Sequence, residues 1–362
     1  MKTFDLANFF TDALLNNEAR HSTVQLTDEA VLLNRNEFPF ELPQSIKDEI
    51  QSSLGDVLLN RYPEPHNADL ERLIAQYAEV QPEQVLAAAG AGAAITTIFN
   101  AFAERYFVIP EPSFTLFDYH CRMNELKCIH WQLTDKYQYT YDLFPNISEP
   151  AVIVIDSPNN PTGQCIEPAL LEKLLEKYRF CLFVIDEVYF EFSGTTFKNL
   201  IDQYENIIIV RSFSKAFGLA ALRAGYLMAN ATLIAHLRKH ILPFSLNAYA
   251  AQALTVILSN NRYLQLMQER ADDVVLYRDV LSTELERIGG ELGFEIPASH
   301  ANFVLLVFLS IDAGKKIYAT LLENKIHVLP VPSHISERYL LRISVGTEWE
   351  NRKVLETMRS CI

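Results

Sequence analysis

The chain has 362 residues, 49% hydrophobic and 21% charged, which allows a large core or two lobes and excludes global disorder. Acidic residues outnumber basic ones, 45 against 31, and the net charge of −14 disfavours nucleic acid and anionic membranes as partners. Glycine is scarce, with 12 residues, which excludes collagen-like and glycine-linker architectures.

The N-terminal stretch Met1 to Leu15 has an apolar periodicity but carries Asp5 and Asp12. It lacks the uninterrupted apolar core and cleavage site of a signal peptide. Apolar runs at Tyr106 to Ile109, Ala151 to Ile155, Phe180 to Ile185, Ile207 to Val210 and Ala224 to Met228 read as strands buried on both faces. The helical patterns between them suit parallel crossovers, and residues 167–178 form an amphipathic helix with Pro168 in its first turn. From Asn247 to Ile288 the pattern is helical almost throughout. A different rhythm follows: strand 302–308, helix 311–324, strands 326–331 and 339–345, and a last helix after Gly346. The organisation predicted is α/β, with a large domain at 46–250. Residues 1–45 and 251–362 combine in a small α+β domain, and a long helix joins the lobes. Cys121, Cys128, Cys165, Cys181 and Cys361 are odd in number and form no CxxC, which reads as reduced thiols in a cytoplasmic protein. No apolar run approaches the length of a membrane span.

Chemistry concentrates in residues 207–229. A lysine just beyond a buried strand, Lys215, is either an ordinary snorkelling side chain or an amine whose charge is suppressed and which attacks carbonyls. Ser212, Ser214 and Arg223 surround it in sequence and are able to hold a phosphate beside it. Three other segments bear on the choice. Ser157 to Gly163 (SPNNPTG) directly follows the apolar strand Ala151 to Asp156, at the C-terminal strand end where open α/β sheets bind ligands, and reads as a plain turn or as one that projects an asparagine amide. Asp186, in DEVY, is an acid at a strand end that needs a cationic or N–H partner. Ala89 to Ala94 (AGAGAA) can point helix N-terminal amides at an anion, although Ile95 occupies the third glycine position of a dinucleotide fingerprint. A carbonyl-trapping lysine, a phosphate cradle, a buried acid and an asparagine describe a pyridoxal phosphate pocket. His236 and His240 stand at i, i+4 on a helix, but no HExxH glutamate accompanies them and Lys and Arg flank them, so no metal site is expected. No GxSxG elbow or Walker A loop occurs.

In chain order LNRNEFP (33–39), RYPE (61–64), GAGA (90–93), EPSF (111–114), SPNNPTG (157–163), DEVY (186–189), SFSKAFGLAALR (212–223) and LRISVGT (341–347) cover nearly the whole chain. On these motifs it resembles the fold-type I pyridoxal-phosphate enzymes of aminotransferase class I/II, and within them the histidinol-phosphate aminotransferase group. The resemblance implies a mostly parallel seven-stranded sheet between helices and a small α+β domain. It implies that Lys215 binds the cofactor covalently and Asp186 pairs with its ring nitrogen. Asn160 and Tyr189 would bond the ring hydroxyl oxygen, and Phe114 would stack on the ring. Ala91, Gly92, Ser212, Ser214 and Arg223 would hold the phosphate. Tyr62 would reach the neighbouring subunit's cofactor phosphate, which implies a homodimer with shared sites. Arg342 would clamp the substrate carboxylate, with Asn36 beside it.

Two departures lie on the substrate side. Leu329 stands where phosphate-binding members place an arginine, and the Pro-Tyr segment expected upstream of LNRNE is not evident in residues 21–34. Arg35 is a candidate compensating cation or a solvated arginine, and His334 and Arg338 are others. The expected function is amino transfer from a small amino acid or amine to a 2-oxo acid in amino-acid biosynthesis, with an unphosphorylated substrate. The alternatives are decarboxylation on the same scaffold, as in threonine-phosphate decarboxylases, an oxidase or cyclase role in a specialised pathway, and, from a different class, a non-catalytic domain that keeps the fold, against which the Lys215–Asp186 pair argues.

Overall fold

A computed structural model describes Ala13, Leu15 and residues 30–65, 67–333, 335 and 337–362. The strands in chain order are β1 (Val31–Leu32), β2 (Val85–Ala88), β3 (Tyr106–Glu111), β4 (Cys128–Gln132), β5 (Ala151–Asp156), β6 (Leu182–Asp186), β7 (Ile207–Ser212), β8 (Gly225–Ala229), β9 (Phe294–Glu295), β10 (Phe303–Phe308), β11 (Ile326–His327), β12 (Leu329–Val331) and β13 (Tyr339–Ser344). Seven of them form one sheet in the order β2-β8-β7-β6-β5-β3-β4. The pairs β4/β3, β3/β5, β5/β6 and β6/β7 are parallel, while β8 is antiparallel to β7 and β2.

Successive side chains of a strand point to opposite faces, and here both faces are covered. Ile153, Ile155, Phe183, Ile185, Ile207 and Ile209 enter the core on one side. Val152, Val154, Val184, Ile208 and Val210 enter the core on the other. Each such side chain contributes roughly 1.5–3 kcal/mol by leaving water. This two-sided demand is why the central strands read as continuous apolar runs. The two strands of this sheet not expected from the sequence, β2 and β4, are its edges. β2 is VLAA, with small side chains, and β4 is CIHWQ, with His130 exposed. An edge strand has one neighbour and tolerates such residues.

The C-terminal part carries a four-stranded sheet, β12-β13-β10-β9. Val304, Leu306, Phe308, Leu341 and Ile343 fill its core against helices Ile311–Glu323 and Glu348–Arg359. The strand expected at 326–331 is split. Ile326 pairs in parallel with Val31 of β1, whereas Leu329 pairs antiparallel with Arg342 of β13. Pro330 fits because β12 is an edge strand. The helical stretch beyond Asn247 is two helices, Ala248–Leu258 and Asn261–Leu292. The second, 32 residues long, packs Met267, Ala271 and Val274 on the large core and Leu281, Leu285 and Ile288 on the small one. The helix carrying His236 ends at Leu237, so His240 lies past it and the i, i+4 pair does not form. Among the described residues no group of three metal-ligating side chains exists and no helix is long and apolar enough to cross a membrane.

Candidate active site

The site lies along the C-terminal edge of the parallel central strands of the large sheet. β5, β6 and β7 end there in Asp156, Asp186 and Ser212, and the antiparallel β8 begins there at Gly225, opposite both Ser212 and Ala88. A cavity of about 520 Å³ opens at this edge. It brings together Asn36, Ala91, Gly92, Phe114, Asn160, Asp186, Tyr189, Ser212, Ser214, Lys215, Arg223 and Arg342, along with Arg35 and Leu329. Every candidate named from the motifs is present except Tyr62. Tyr62 is 82% exposed and stacks on Phe244, with ring centroids 4.7 Å apart, outside the cavity.

An anion cradle occupies one end. Gly90, with φ +90°, precedes the helix Ala91–Ala101, whose first amides belong to Ala91 and Gly92. A Cβ on Gly90 would stand 3.0 Å from Arg223 Nη2, and one on Gly225 would stand 2.8 Å from the Ala91 nitrogen. Glycine at both places lets helix, strand and guanidinium converge. Arg223, left-handed at φ 55°, donates to Ser214 Oγ at 3.4 Å and to the Ala220 carbonyl at 3.1 Å. The Ser214 N–H donates to Ser212 Oγ at 3.1 Å. A helix N-terminus, two hydroxyls and an arginine suit a phosphate.

Lys215 is half-buried, and its Nζ donates to the Arg35 and Asn36 carbonyls at 3.0 and 3.1 Å. Burial, then the nearby Arg342 guanidinium, hold its pKa down to about 8. Asp186 is 3% exposed. Among the described residues its carboxylate accepts one hydrogen bond, from the Val188 N–H at 3.1 Å. Burial, then the charge of Asp156, push Asp186 up to about 7. Its neighbour Glu187 turns away and takes the buried cation, Arg211, at 2.9 Å. A buried, under-partnered carboxylate suits a protonated ring nitrogen.

The substrate side is built by long-range contacts. Asn36, 1% exposed at φ 52°, donates from Nδ2 to Tyr189 Oη at 2.9 Å and accepts from Ser344 Oγ at 2.9 Å. Its side chain is therefore spent on holding Tyr189 and β13 together. Burial pushes the Tyr189 hydroxyl up to about 12. Arg342 donates to Asn160 Oδ1 and, at 2.8 Å, to the Asn34 carbonyl, while its buried Nε has no partner among the described residues. Burial lowers its pKa to about 10. Leu329 faces Arg342 across the β12/β13 ladder, and with Val331, Leu116, Ile95 and Val188 it makes an apolar wall. Arg35 is exposed at the rim. Arg338 does not supply a charge here. It donates to the Asp135 carbonyl at 2.7 Å and lines a separate groove. His334 and most of residues 21–34 lie outside the described residues.

The motif reading missed Asp156, which is 2% exposed and lines the cavity. The signal was an acid closing an apolar run directly before SPNNPTG. The lysine, the acid and the anion cradle fit pyridoxal phosphate: the cradle would hold its phosphate, and Asp186 would pair with its ring nitrogen.

Residues 28–358 match the family described as aminotransferase class I and II. A histidinol-phosphate aminotransferase of Caldanaerobacter subterraneus subsp. tengcongensis is 30% identical over 335 residues, covering 91% of this chain and 92% of that one. Among solved structures, the histidinol-phosphate aminotransferase from Clostridium acetobutylicum superposes with a TM-score of 0.81 at 22% identity, over 91% of this chain and 98% of its own. The histidinol-phosphate aminotransferase from Sinorhizobium meliloti, in complex with pyridoxal-5'-phosphate, gives 0.75 at 20% identity, over 96% and 100%. The L-threonine-O-3-phosphate decarboxylase from Porphyromonas gingivalis gives 0.76 at 22% identity, over 91% and 99%. The chain belongs to the aminotransferase class I and II family and is a pyridoxal-phosphate-dependent aminotransferase.

Proposed function

We propose that the enzyme moves the amino group of a small, unphosphorylated amino acid to a 2-oxo acid. The observation that carries this is one cavity in which an amine of lowered pKa, a buried acid and an anion cradle meet under a buried arginine. When bound, pyridoxal phosphate supplies an aldehyde that captures amines and a ring that accepts the electron pair left by a broken Cα–H bond. The chain's own residues do the rest. Ala91, Gly92, Ser212, Ser214 and Arg223 bind phosphate, and Asp186 holds a proton on the ring nitrogen. Asn160 and Tyr189 orient the ring hydroxyl oxygen, and Phe114 covers the face. Arg342 binds the substrate carboxylate, and Lys215, neutral in a useful fraction near its pKa of about 8, carries the proton to and from Cα. The two domains of this reading, 46–250 and 1–45 with 251–362, meet at the site.

The preference for an unphosphorylated substrate rests on Leu329. A phosphate monoester stripped of water needs cations or N–H donors. Losing one charge-assisted contact weakens binding by about 1.5–3 kcal/mol, or roughly 10- to 150-fold. Free amino acids are expected to exceed histidinol phosphate in kcat/KM, and Leu329→Arg is expected to narrow the gap. A wild type that prefers histidinol phosphate, with no gain from Leu329→Arg, would overturn this. Product analysis in the same assay separates the outcomes on this fold: a 2-oxo acid for amino transfer, carbon dioxide for decarboxylation.

The working form is a homodimer. Tyr62, Leu58, Leu59 and Leu242 are all more than two-thirds exposed, and an apolar patch of this kind favours a protein partner. Mixing wild type with a Tyr62→Ala, Arg223→Ala double variant is expected to give hybrids that keep one partly working site. A fully active monomer at assay concentration would contradict the shared site. The free cysteines support a reducing, cytoplasmic setting.

A further inference from the structure

Asp156 closes β5, and its side chain is a junction. Oδ1 accepts from the Tyr139 hydroxyl at 3.1 Å and from Asn159 Nδ2 at 2.9 Å. Oδ2 accepts from two backbone N–H groups, Asn160 at 2.9 Å and Phe114 at 3.3 Å. Those two residues belong to different loops, one after β5 and one after β3, and both line the cavity. Asn160 in turn receives Arg342. Tyr139 stands outside the cavity, 6% exposed, and also donates to the Asp156 carbonyl at 2.8 Å.

We propose that Asp156 is a positioning residue: its one carboxylate, shared between the N–H groups of Phe114 and Asn160, sets the distance between the ring-stacking wall and the Asn160–Arg342 pair. It acts through those residues on both the cofactor and the amino-acid substrate. The inference rests on the site reading above in taking this cavity as the cofactor's. Four donors converge on the group, so removing it takes the acceptor from one buried N–H group, that of Asn160, and one partly buried, that of Phe114. Asparagine can replace it in shape. Its oxygen accepts from the two backbone N–H groups and its amide donates to the Tyr139 oxygen, while Asn159 Nδ2 loses an acceptor and keeps the Pro112 carbonyl at 3.1 Å.

The test compares Asp156→Ala, Asp156→Asn and wild type by titrating cofactor-free protein with pyridoxal phosphate, by KM and kcat for the best amino acid, and by melting of the cofactor-free forms. In Asp156→Ala the cofactor Kd and the amino-acid KM are each expected to rise about 10- to 100-fold. In Asp156→Asn, which keeps the two backbone N–H acceptor contacts and loses the one to Asn159, both are expected to lie at least about 3-fold closer to wild type than in Asp156→Ala. A merely structural role would lower the melting temperature without this split. Binding and KM unchanged in Asp156→Ala, or equal damage in both variants, would overturn the proposal. Where Asp156→Ala does not fold, Tyr139→Phe replaces it, with a rise of about 3- to 10-fold expected and no change overturning the idea. Wild-type protein that binds no pyridoxal phosphate would instead sink the site reading itself.

Discussion

Lys215→Ala is expected to lose covalent cofactor attachment and to lose turnover by roughly 10³- to 10⁴-fold, the scale of a missing general base. The cradle of Ala91, Gly92, Ser212, Ser214 and Arg223 is untouched, so phosphate-dependent, non-covalent binding should survive. Borohydride reduction of wild type followed by peptide mapping should mark Lys215, and a mark on any other lysine would overturn the assignment. The cofactor-free protein offers a second readout. The amine has a pKa of about 8 in the fold against 10.5 unfolded, so between those values the unfolded chain binds more protons. Wild-type stability is therefore expected to rise with pH across that window, and the rise should be missing in Lys215→Ala. Melting curves at pH 8 and pH 10 check it.

The cofactor half of the site was legible because each of its parts sits beside a strong local signal. Asp186 and Ser212 end apolar strands buried on both faces, and Lys215 and Arg223 follow within one short segment. Strand, turn and chemistry are contiguous there, so motif and geometry carry the same information. The substrate half is assembled otherwise. Asn36 meets Ser344 across 308 positions, Arg342 meets Asn160 across 182, and neither pairing leaves a periodicity to read. Asn36 shows the consequence: the motif suggested a residue that meets substrate, and the fold spends its amide on Tyr189 and Ser344.

Arg338 and Tyr62 both lie away from this chain's cavity, for different reasons. Proximity in sequence to β12 made Arg338 a candidate for the missing charge, but its guanidinium donates to the Asp135 carbonyl in another groove. Tyr62 belongs to the site only if a second chain brings its own cavity to it, which one chain cannot display. Asp156 was overlooked because an acid at the end of an apolar run resembles a strand terminator. Only the three-dimensional convergence of Tyr139, Asn159, Asn160 and Phe114 reveals it as a junction.

Asp186→Asn is expected to slow Cα–H cleavage by about a thousandfold or more while making the cofactor-free fold more stable at alkaline pH. The two effects share one cause. Burial and Asp156 raise the Asp186 carboxyl from 3.8 to about 7. Between those values the folded chain binds more protons than the unfolded one, so stability falls as pH rises through the window. The cost of the carboxylate is absent below about 3.8 and complete above about 7. Asparagine carries no charge, and its oxygen can still accept from the Val188 N–H. The variant should therefore melt higher than wild type at pH 8, with the advantage fading toward pH 4. On the proposed reading, the same anion would stabilise the protonated ring nitrogen of bound cofactor in a water-poor pocket. Such an interaction is worth several kcal/mol, hence the thousandfold loss. Stopped-flow measurement of a single half-reaction with one amino acid, beside cofactor-free melts at pH 5 and pH 8, examines both halves. A near-normal half-reaction rate would remove the catalytic role. An unchanged melting temperature at pH 8 would mean that the carboxylate is not strained in the free protein, and that its energy is not held ready for the ring.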